Sequence, residues 1–303
     1  MKAETVHSTQ QMNHPPQVKP FLNPPYHRKK RGRVTGLFFH LMLTAGALLM
    51  VFPFFWTITS ALKDNSQIFA SPPKWIPHPA VWSNFSDSLQ AMPFAGAYWN
   101  SFYITTVIVV CQLLTASMAS YAFAKIRFPG ANVLFILFLS TMMIPKQVTM
   151  IPVYLIIKNL GWVDSHLALI VPNALLNGFG VFLLRQFIMG IPKELEEAAI
   201  IDGASPFRIY WNIILPLIRP ALAAFGIFTF LATWNNFLEP LIYLSTPEKF
   251  TVPVLLNSFK GLYVTDWSLM MAGTTISVIP VLAVYLIAQK YIIEGITMTG
   301  IKG

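Results

Sequence analysis

Residues 194–220 read Glu-Leu-Glu-Glu-Ala-Ala-Ile-Ile-Asp-Gly-Ala-Ser-Pro-Phe-Arg-Ile-Tyr-Trp-Asn-Ile-Ile-Leu-Pro-Leu-Ile-Arg-Pro. This stretch is polar, then amphipathic, and it interrupts a chain of apolar runs. A protein built of membrane spans receives energy through an ion gradient in its core or through a push on a cytoplasmic loop. A long loop with its own helix start and stop signals suits the second. Pro192 fits the first turn of a short helix. Glu194, Glu196 and Glu197 then lie near the positive end of its dipole. Leu195, Ala198 and Ala199 recur at i, i+3, i+4 and predict one small apolar face. Gly203 supplies a stop or sharp turn. Ser205 before Pro206 is an N-cap followed by a first-turn proline, so a second helix is expected there. Pro216 and Pro220 mark the approach to the next span.

Composition places the chain in a membrane. It is 55% hydrophobic and 11% charged, with mean hydropathy +0.57; soluble domains carry about 25% charged residues. The 303 residues could hold about two soluble domains, but they divide better into spans of about 20 residues each. The one cysteine, Cys111, lies in an apolar run and excludes an internal disulfide. The net charge of +9 reads as topology and lipid contact rather than nucleic-acid binding.

Residues 1–33 form a proline-broken polar tail ending in His27-Arg28-Lys29-Lys30-Arg31-Gly32-Arg33. It lacks the layout of a signal peptide and is expected to be disordered and cytoplasmic. Residues 34–303 form the membrane domain, with six apolar runs at about 34–62, 98–124, 131–157, 166–184, 217–244 and 269–291. The third is interrupted by Pro145, Lys146 and Pro152. Basic residues concentrate in the tail, in the span 2–3 connection (Lys125, Arg127) and in the span 4–5 connection (Arg185, Lys193, Arg208, Arg219). The positive-inside rule then sets both termini and the 190–216 loop in the cytoplasm. Trp75, Trp82, Trp99, Trp162 and Trp267 fall near the opposite boundaries, as an aromatic belt would.

Enzymatic signals are weak. The six histidines are scattered, no metal-type cluster is present, and no Gly-Lys pair exists from which to build a phosphate loop. No catalytic residue is assigned. If ATP drives the loop, another chain must hydrolyse it. Lys146 and Glu239 are the intramembrane ionisable candidates for an ion-coupled carrier. Both fall toward outer span ends, which favours a boundary role.

The loop resembles the cytoplasmic signature of bacterial ABC importer permeases: Glu-Ala-Ala, three residues, Gly, nine residues, Ile-x-Leu-Pro. Here these are Glu197-Ala198-Ala199, Gly203, and Ile213-Ile214-Leu215-Pro216. The Ala199–Ser205 form of the motif, Thr233-Trp234-Asn235-Asn236-Phe237 and the ending Gly300-Ile301-Lys302-Gly303 are similar to the carbohydrate-uptake branch, in particular its smaller permease of the maltose-importer type. The resemblance covers about residues 35–303. It implies an all-α fold of six transmembrane helices with a coupling-helix loop, in a bacterial cell membrane. It further implies a second permease subunit, two ATP-binding subunits that hold ATP and Mg, an extracytoplasmic solute-binding protein and a carbohydrate substrate. Glu197, Ala198, Ala199, Gly203, Leu215 and Pro216 would then couple to the ATPase, with Pro216 and Pro220 passing its motion into span 5.

Sugars are held by amide and hydroxyl hydrogen bonds with aromatic stacking. Trp234, Asn235 and Asn236 offer such groups at membrane depth, as do Asn173 and Asn177 at i and i+4. Helix–helix hydrogen bonding is the alternative use for them. A permease for glycerol phosphate or another polar solute is the nearest rival reading. An ion-coupled secondary carrier is the more distant one, and it leaves the loop signature unexplained.

Overall fold

The computed structural model describes residues 33–175, 177–261 and 265–299. The tail, apart from the Arg33 backbone, and the Gly300–Gly303 ending lie outside the described residues. The chain opens with α1 (Arg33–Ala61), α2 (Asn65–Ile68), α3 (Ser83–Ala91) and α4 (Phe94–Lys125). Next come α5 (Ala131–Ser140), α6 (Lys146–Asn159), α7 (Leu167–Ala174) and α8 (Gly178–Met189). The loop region holds α9 (Glu194–Ile201), α10 (Pro206–Ile209) and α11 (Leu215–Leu217). The chain closes with α12 (Arg219–Trp234), α13 (Leu238–Tyr243), α14 (Val252–Ser258) and α15 (Trp267–Thr299). Residues 1–51 and 52–303 are two separate compact units; the described part of the first is the start of α1.

Four helical stretches are long and apolar enough to cross a membrane, and two bent pairs bring the number to as many as six. The expected fold is therefore present: an all-α membrane protein whose spans are, in part, broken. Described residues of α1 from Leu37 to Phe55 expose Leu, Met and Phe side chains around the helix, which suits a lipid or protein environment rather than water.

Helix α4 turns large apolar side chains outward and buries a polar stripe among its apolar core residues. Asn100, Ser101, Thr105, Gln112, Ser117 and Ser120 are buried, whereas Trp99, Phe102, Val110, Leu114 and Met118 are exposed. This inverted pattern is what a span needs when its neighbours are protein on one side and acyl chains on the other. Small inward residues let helices approach closely. A Cβ on Gly180 of α8 would stand 2.1 Å from the Phe225 ring of α12. The main core joins α4, α8 and α12 through Ala116, Val181, Leu184, Ala221 and Phe225.

The breaks have local causes. The third span bends by 100° between α5 and α6, where a 3₁₀ turn at Thr141–Met143 runs into Pro145. The fourth span, expected as one run from 166 to 184, is one apolar stretch, Leu167–Met189, interrupted between α7 and α8. Asn177 caps α8 there, accepting the Gly180 N–H at 3.1 Å. The expected fifth span, 217–244, is corrected similarly. Helix α12 ends at Trp234, and residues 235–237 separate it from α13.

Candidate functional site

Two regions concentrate the polar chemistry. The first is a cavity of about 370 Å³ among α4, α7, α8, α12 and the Thr141–Met143 turn. Each break in the spans frees backbone groups, and side chains satisfy them. Gln112 of α4 sits at the centre. Its Nε2 donates to the Asn173 carbonyl at 2.5 Å, while its Oε1 accepts from Asn177 Nδ2 at 2.9 Å and from Thr229 Oγ1 at 3.2 Å. Asn177 is thus both the cap of α8 and a partner of α4.

A second network meets the cavity at α13. The Glu239 carboxylate accepts from Lys146 Nζ at 3.0 Å, Asn173 Nδ2 at 2.8 Å and Asn236 Nδ2 at 2.9 Å. Lys146 Nζ also donates to Asn173 Oδ1 at 3.1 Å. The Lys146 side chain is 74% exposed and that of Glu239 is 20% exposed, so the carboxylate is the enclosed member of the pair. Lys146 is the one charged residue lining this cavity among the described residues.

Of the five sequence candidates for the substrate path, Asn173, Asn177 and Asn236 line the cavity together. Asn235 is exposed and donates from Nδ2 to the Leu231 carbonyl at 2.9 Å. Trp234 stands apart. Its ring is buried against Phe230, centroids 5.7 Å apart, and Tyr98, 5.6 Å apart, so it offers no open face for stacking. Gln112 and Thr229 escaped the sequence reading. For Gln112 the signal was a run of small and polar residues at helical spacing inside the otherwise apolar span 2; Thr229 stands in span 5 with no comparable run around it.

The second region is the 190–216 loop. Lys193, not a proline, stands at the N-cap of α9, which sets Pro192 one residue before the cap rather than in the first turn. Gly203 adopts φ +75°, and its N–H bonds the Ile200 carbonyl at 3.0 Å, closing α9 as expected of a C-terminal glycine. Ser205 caps α10, accepting the Arg208 N–H at 3.4 Å. A π-helical turn, Tyr210–Ile214, then leads into α11, which contains Leu215 and Pro216. The segment Pro206–Leu217 meets α12 at 78°, with Pro220 in the first turn of α12.

The single apolar face expected on α9 is split. Ala199 is buried in the core, but Leu195 and Ala198 are exposed. The reason is the partly buried Glu196, whose Oε1 lies 2.5 Å from Lys125 Nζ. The helix therefore rests on its Glu196–Ala199 edge. Leu195, Ala198 and Ile201 are exposed, Ile201 at 85%, and the exposed Glu197 and Ile200 line a cavity toward the α4–α5 turn. This cavity, of about 660 Å³, separates α9 from the turn between α4 and α5.

On the face opposite the loop, Asp164 takes φ +58° and clamps the segment after α13. Its carboxylate accepts from the Ser245 N–H at 2.9 Å, the Thr246 N–H at 3.0 Å, the Thr246 hydroxyl at 2.5 Å and Lys249 Nζ at 2.9 Å. The Thr246 hydroxyl, the Ser245 N–H and Lys249 together hold the carboxyl well below the usual carboxylate range.

Residues 112–297 match the family described as binding-protein-dependent transport system inner membrane component. The arabinooligosaccharides transport system permease protein AraQ of Halalkalibacterium halodurans is 34% identical over 279 residues, 89% of this chain and 99% of the relative. The sn-glycerol-3-phosphate transport system permease protein UgpE of Yersinia enterocolitica is 35% identical over 272 residues, 87% of this chain and 96% of the relative. Among solved structures, a chain of a bacterial ABC transporter involved in the import of the acidic polysaccharide alginate superposes with a TM-score of 0.76 at 26% identity. That match covers 89% of this chain and 99% of the other. Another, of a bacterial alginate ABC transporter in complex with a pentasaccharide-bound periplasmic protein, gives 0.62 at 17% identity over 84% of this chain and 93% of the other, a likeness of fold. With the family model matching residues 112–297 and a relative of 34% identity covering 89% of it, the chain belongs to the binding-protein-dependent transport system inner membrane component family.

Proposed function

We propose that this permease carries an uncharged sugar or oligosaccharide across the membrane, driven by ATP hydrolysis in partner subunits that push on α9. The observation that carries the substrate class is the cavity lining. Gln112, Asn173, Asn177, Thr229 and Asn236 supply neutral donors and acceptors, and the one lining cation, Lys146, is matched by Glu239 at 3.0 Å. Amides and hydroxyls exchange hydrogen bonds with a polyol at little desolvation cost, whereas an anion would compete with Glu239 for Lys146. The AraQ relatives support an oligosaccharide.

The working assembly on this reading contains a second permease, two ATP-binding subunits holding ATP and Mg, and an extracytoplasmic solute-binding protein. Both termini and the 190–216 loop face the cytoplasm. Glu197, Ala198 and the exposed isoleucines of α9 form the surface that meets the ATPase, with Gly203 fixing its angle and Leu215 and Pro216 leading back to the bundle. Glycerol phosphate is the second reading, favoured by the UgpE relatives and by the exposure of the Lys146 ammonium. Uptake of labelled arabino-oligosaccharide and of labelled glycerol 3-phosphate, in cells with and without this chain, separates the two. Loss of sugar uptake alone supports the proposal. Loss of glycerol phosphate uptake alone overturns its substrate class.

A further inference from the structure

We infer that Lys125 and Glu196 are positioning residues that transmit the movement of α9 to the cavity through α4; the inference rests on the ATP-driven reading above. Helix α9 has few side-chain attachments. Among residues 194–201 only Ala199 is buried, and Glu196 alone is partly buried. The Glu196 carboxylate lies 2.5 Å from Lys125 Nζ, and the two side chains are 15% and 7% exposed. Lys125 Nζ also donates to the Ile191 carbonyl at 3.0 Å, just before α9. A push on α9 must therefore pass through one methyl group and one enclosed ion pair, besides the chain itself.

The chain itself is a poor transmitter. Sequence reasoning routed the motion through Pro216 and Pro220 into span 5, but the backbone there turns by 78° at Ile218. A bend of that size can absorb displacement. The ion pair instead ends on α4, a 32-residue helix with no internal proline, unlike α1, α6, α7 and α15. Lys125 is its last residue. Gln112, at the centre of the cavity, lies 13 positions earlier, about 20 Å along a rigid helix. A second loop contact lands on the same helix, where the Tyr210 and Ser117 hydroxyls meet at 2.8 Å. Farther along, Ser120 Oγ donates to the Val181 carbonyl of α8 at 2.9 Å. These two polar contacts of the loop both land on α4, the span that carries Gln112, while Ile209 and Ile214 pack in the core shared with α8 and α12. Charged groups enclosed together are held firmly, because separating them strips the Glu196 carboxylate of its cation and leaves Lys125 only the Ile191 carbonyl.

The test uses the whole transporter, purified with its partner subunits and reconstituted with its binding protein. Variants are Lys125→Met, Glu196→Gln and the swapped pair K125E/E196K. Three quantities are read: ATPase subunit recovered with the permease, ATP hydrolysis, and substrate moved per ATP. Each single variant should assemble and hydrolyse ATP, with substrate moved per ATP down about tenfold. The swap should return it to within about threefold of wild type. Unchanged coupling in the singles overturns the inference. So does a loss that the swap fails to recover. Loss of assembly in the singles also overturns it, since the pair would then hold the fold rather than transmit. If the wild-type transporter hydrolyses no ATP in response to loaded binding protein, the ATP-driven reading fails first, and the inference falls with it.

Discussion

Lys146 and Glu239 stand 3.0 Å apart, joining the start of α6 to the start of α13 across the mouth of the cavity. The two partners are not equivalent. Lys146 is largely exposed, and such pairs contribute about 0–1 kcal/mol. Glu239 is enclosed, and its loss leaves the Asn236 amide without its acceptor and the Asn173 amide with the Leu169 carbonyl alone. Glu239→Ala should therefore destabilise by about 1–3 kcal/mol, against less than about 1 kcal/mol for Lys146→Ala. Thermal unfolding of the detergent-solubilised subunit compares them; equal losses would contradict the asymmetry.

Gly203 has φ +75°, and no atom lies within 4 Å of the place a Cβ would occupy. Replacement there meets backbone strain rather than a clash, costing about 1–2 kcal/mol for most residues. Asn should be tolerated best, Ala less well, and Val least. The readout is substrate moved per ATP, expected to fall in that order while the subunit still inserts. Normal transport by Gly203→Val would refute a role for this turn.

Glu197 is exposed, at the edge of the cavity beside the α4–α5 turn, one residue from the enclosed Glu196. On the proposed docking, Glu197→Lys should weaken retention of the ATPase by several kcal/mol. At a merely solvated position the change would be about 0.5 kcal/mol or less. Co-purification across a salt series distinguishes these. Wild-type yield and salt sensitivity would remove Glu197 from the interface.

Gly180 and Phe225 should be coupled. The methyl of Gly180→Ala has no space beside the Phe225 ring, and overpacking of this kind costs about 1–3 kcal/mol. Phe225→Leu should recover part of that loss, so the double variant should be more stable than additivity allows. Strict additivity in the unfolding midpoints would show that α8 and α12 are not in contact there.

Asp164 links stability to acid. Its carboxyl titrates lower in the folded chain than in the unfolded one, so its contribution is complete above the unfolded range, near about pH 4. It is lost as the pH falls through that range toward the lower folded value. The gap in thermal stability between wild type and Asp164→Asn should be constant from about pH 7 to about pH 5 and narrow below it. Asn preserves the left-handed backbone, which isolates the charge. A gap independent of acid would mean that the clamp does not depend on ionisation.

Much of this fold was readable before any coordinates. Apolar run length found the spans, Pro145 flagged the interruption of the third, and Pro216 and Pro220 marked the entry to the fifth, because proline removes a donor wherever it stands. The break at Asn177 was hidden inside an apolar stretch. Around it Gly178 lets the chain approach Met142 and Gly180 lets α8 approach Phe225 of α12, both tertiary facts. The loop signature located α9 but not its rotation. Neighbouring residues on a helix point about 100° apart, so choosing between Glu196 and Glu197 requires knowing which edge meets α4. Lys125 lies 71 positions from Glu196 in sequence, and nothing local pairs them. Trp234 looked like a sugar platform by residue type, whereas its neighbours Tyr98 and Phe230 close both approaches to its ring.

The most direct test of the account is uptake of a labelled oligosaccharide into proteoliposomes containing the whole transporter. ATP, the binding protein and an imposed proton or sodium gradient are each supplied or withheld. The account predicts uptake that requires both ATP and the binding protein and is indifferent to the gradient. Uptake driven by the gradient alone, with ATP absent, would contradict it.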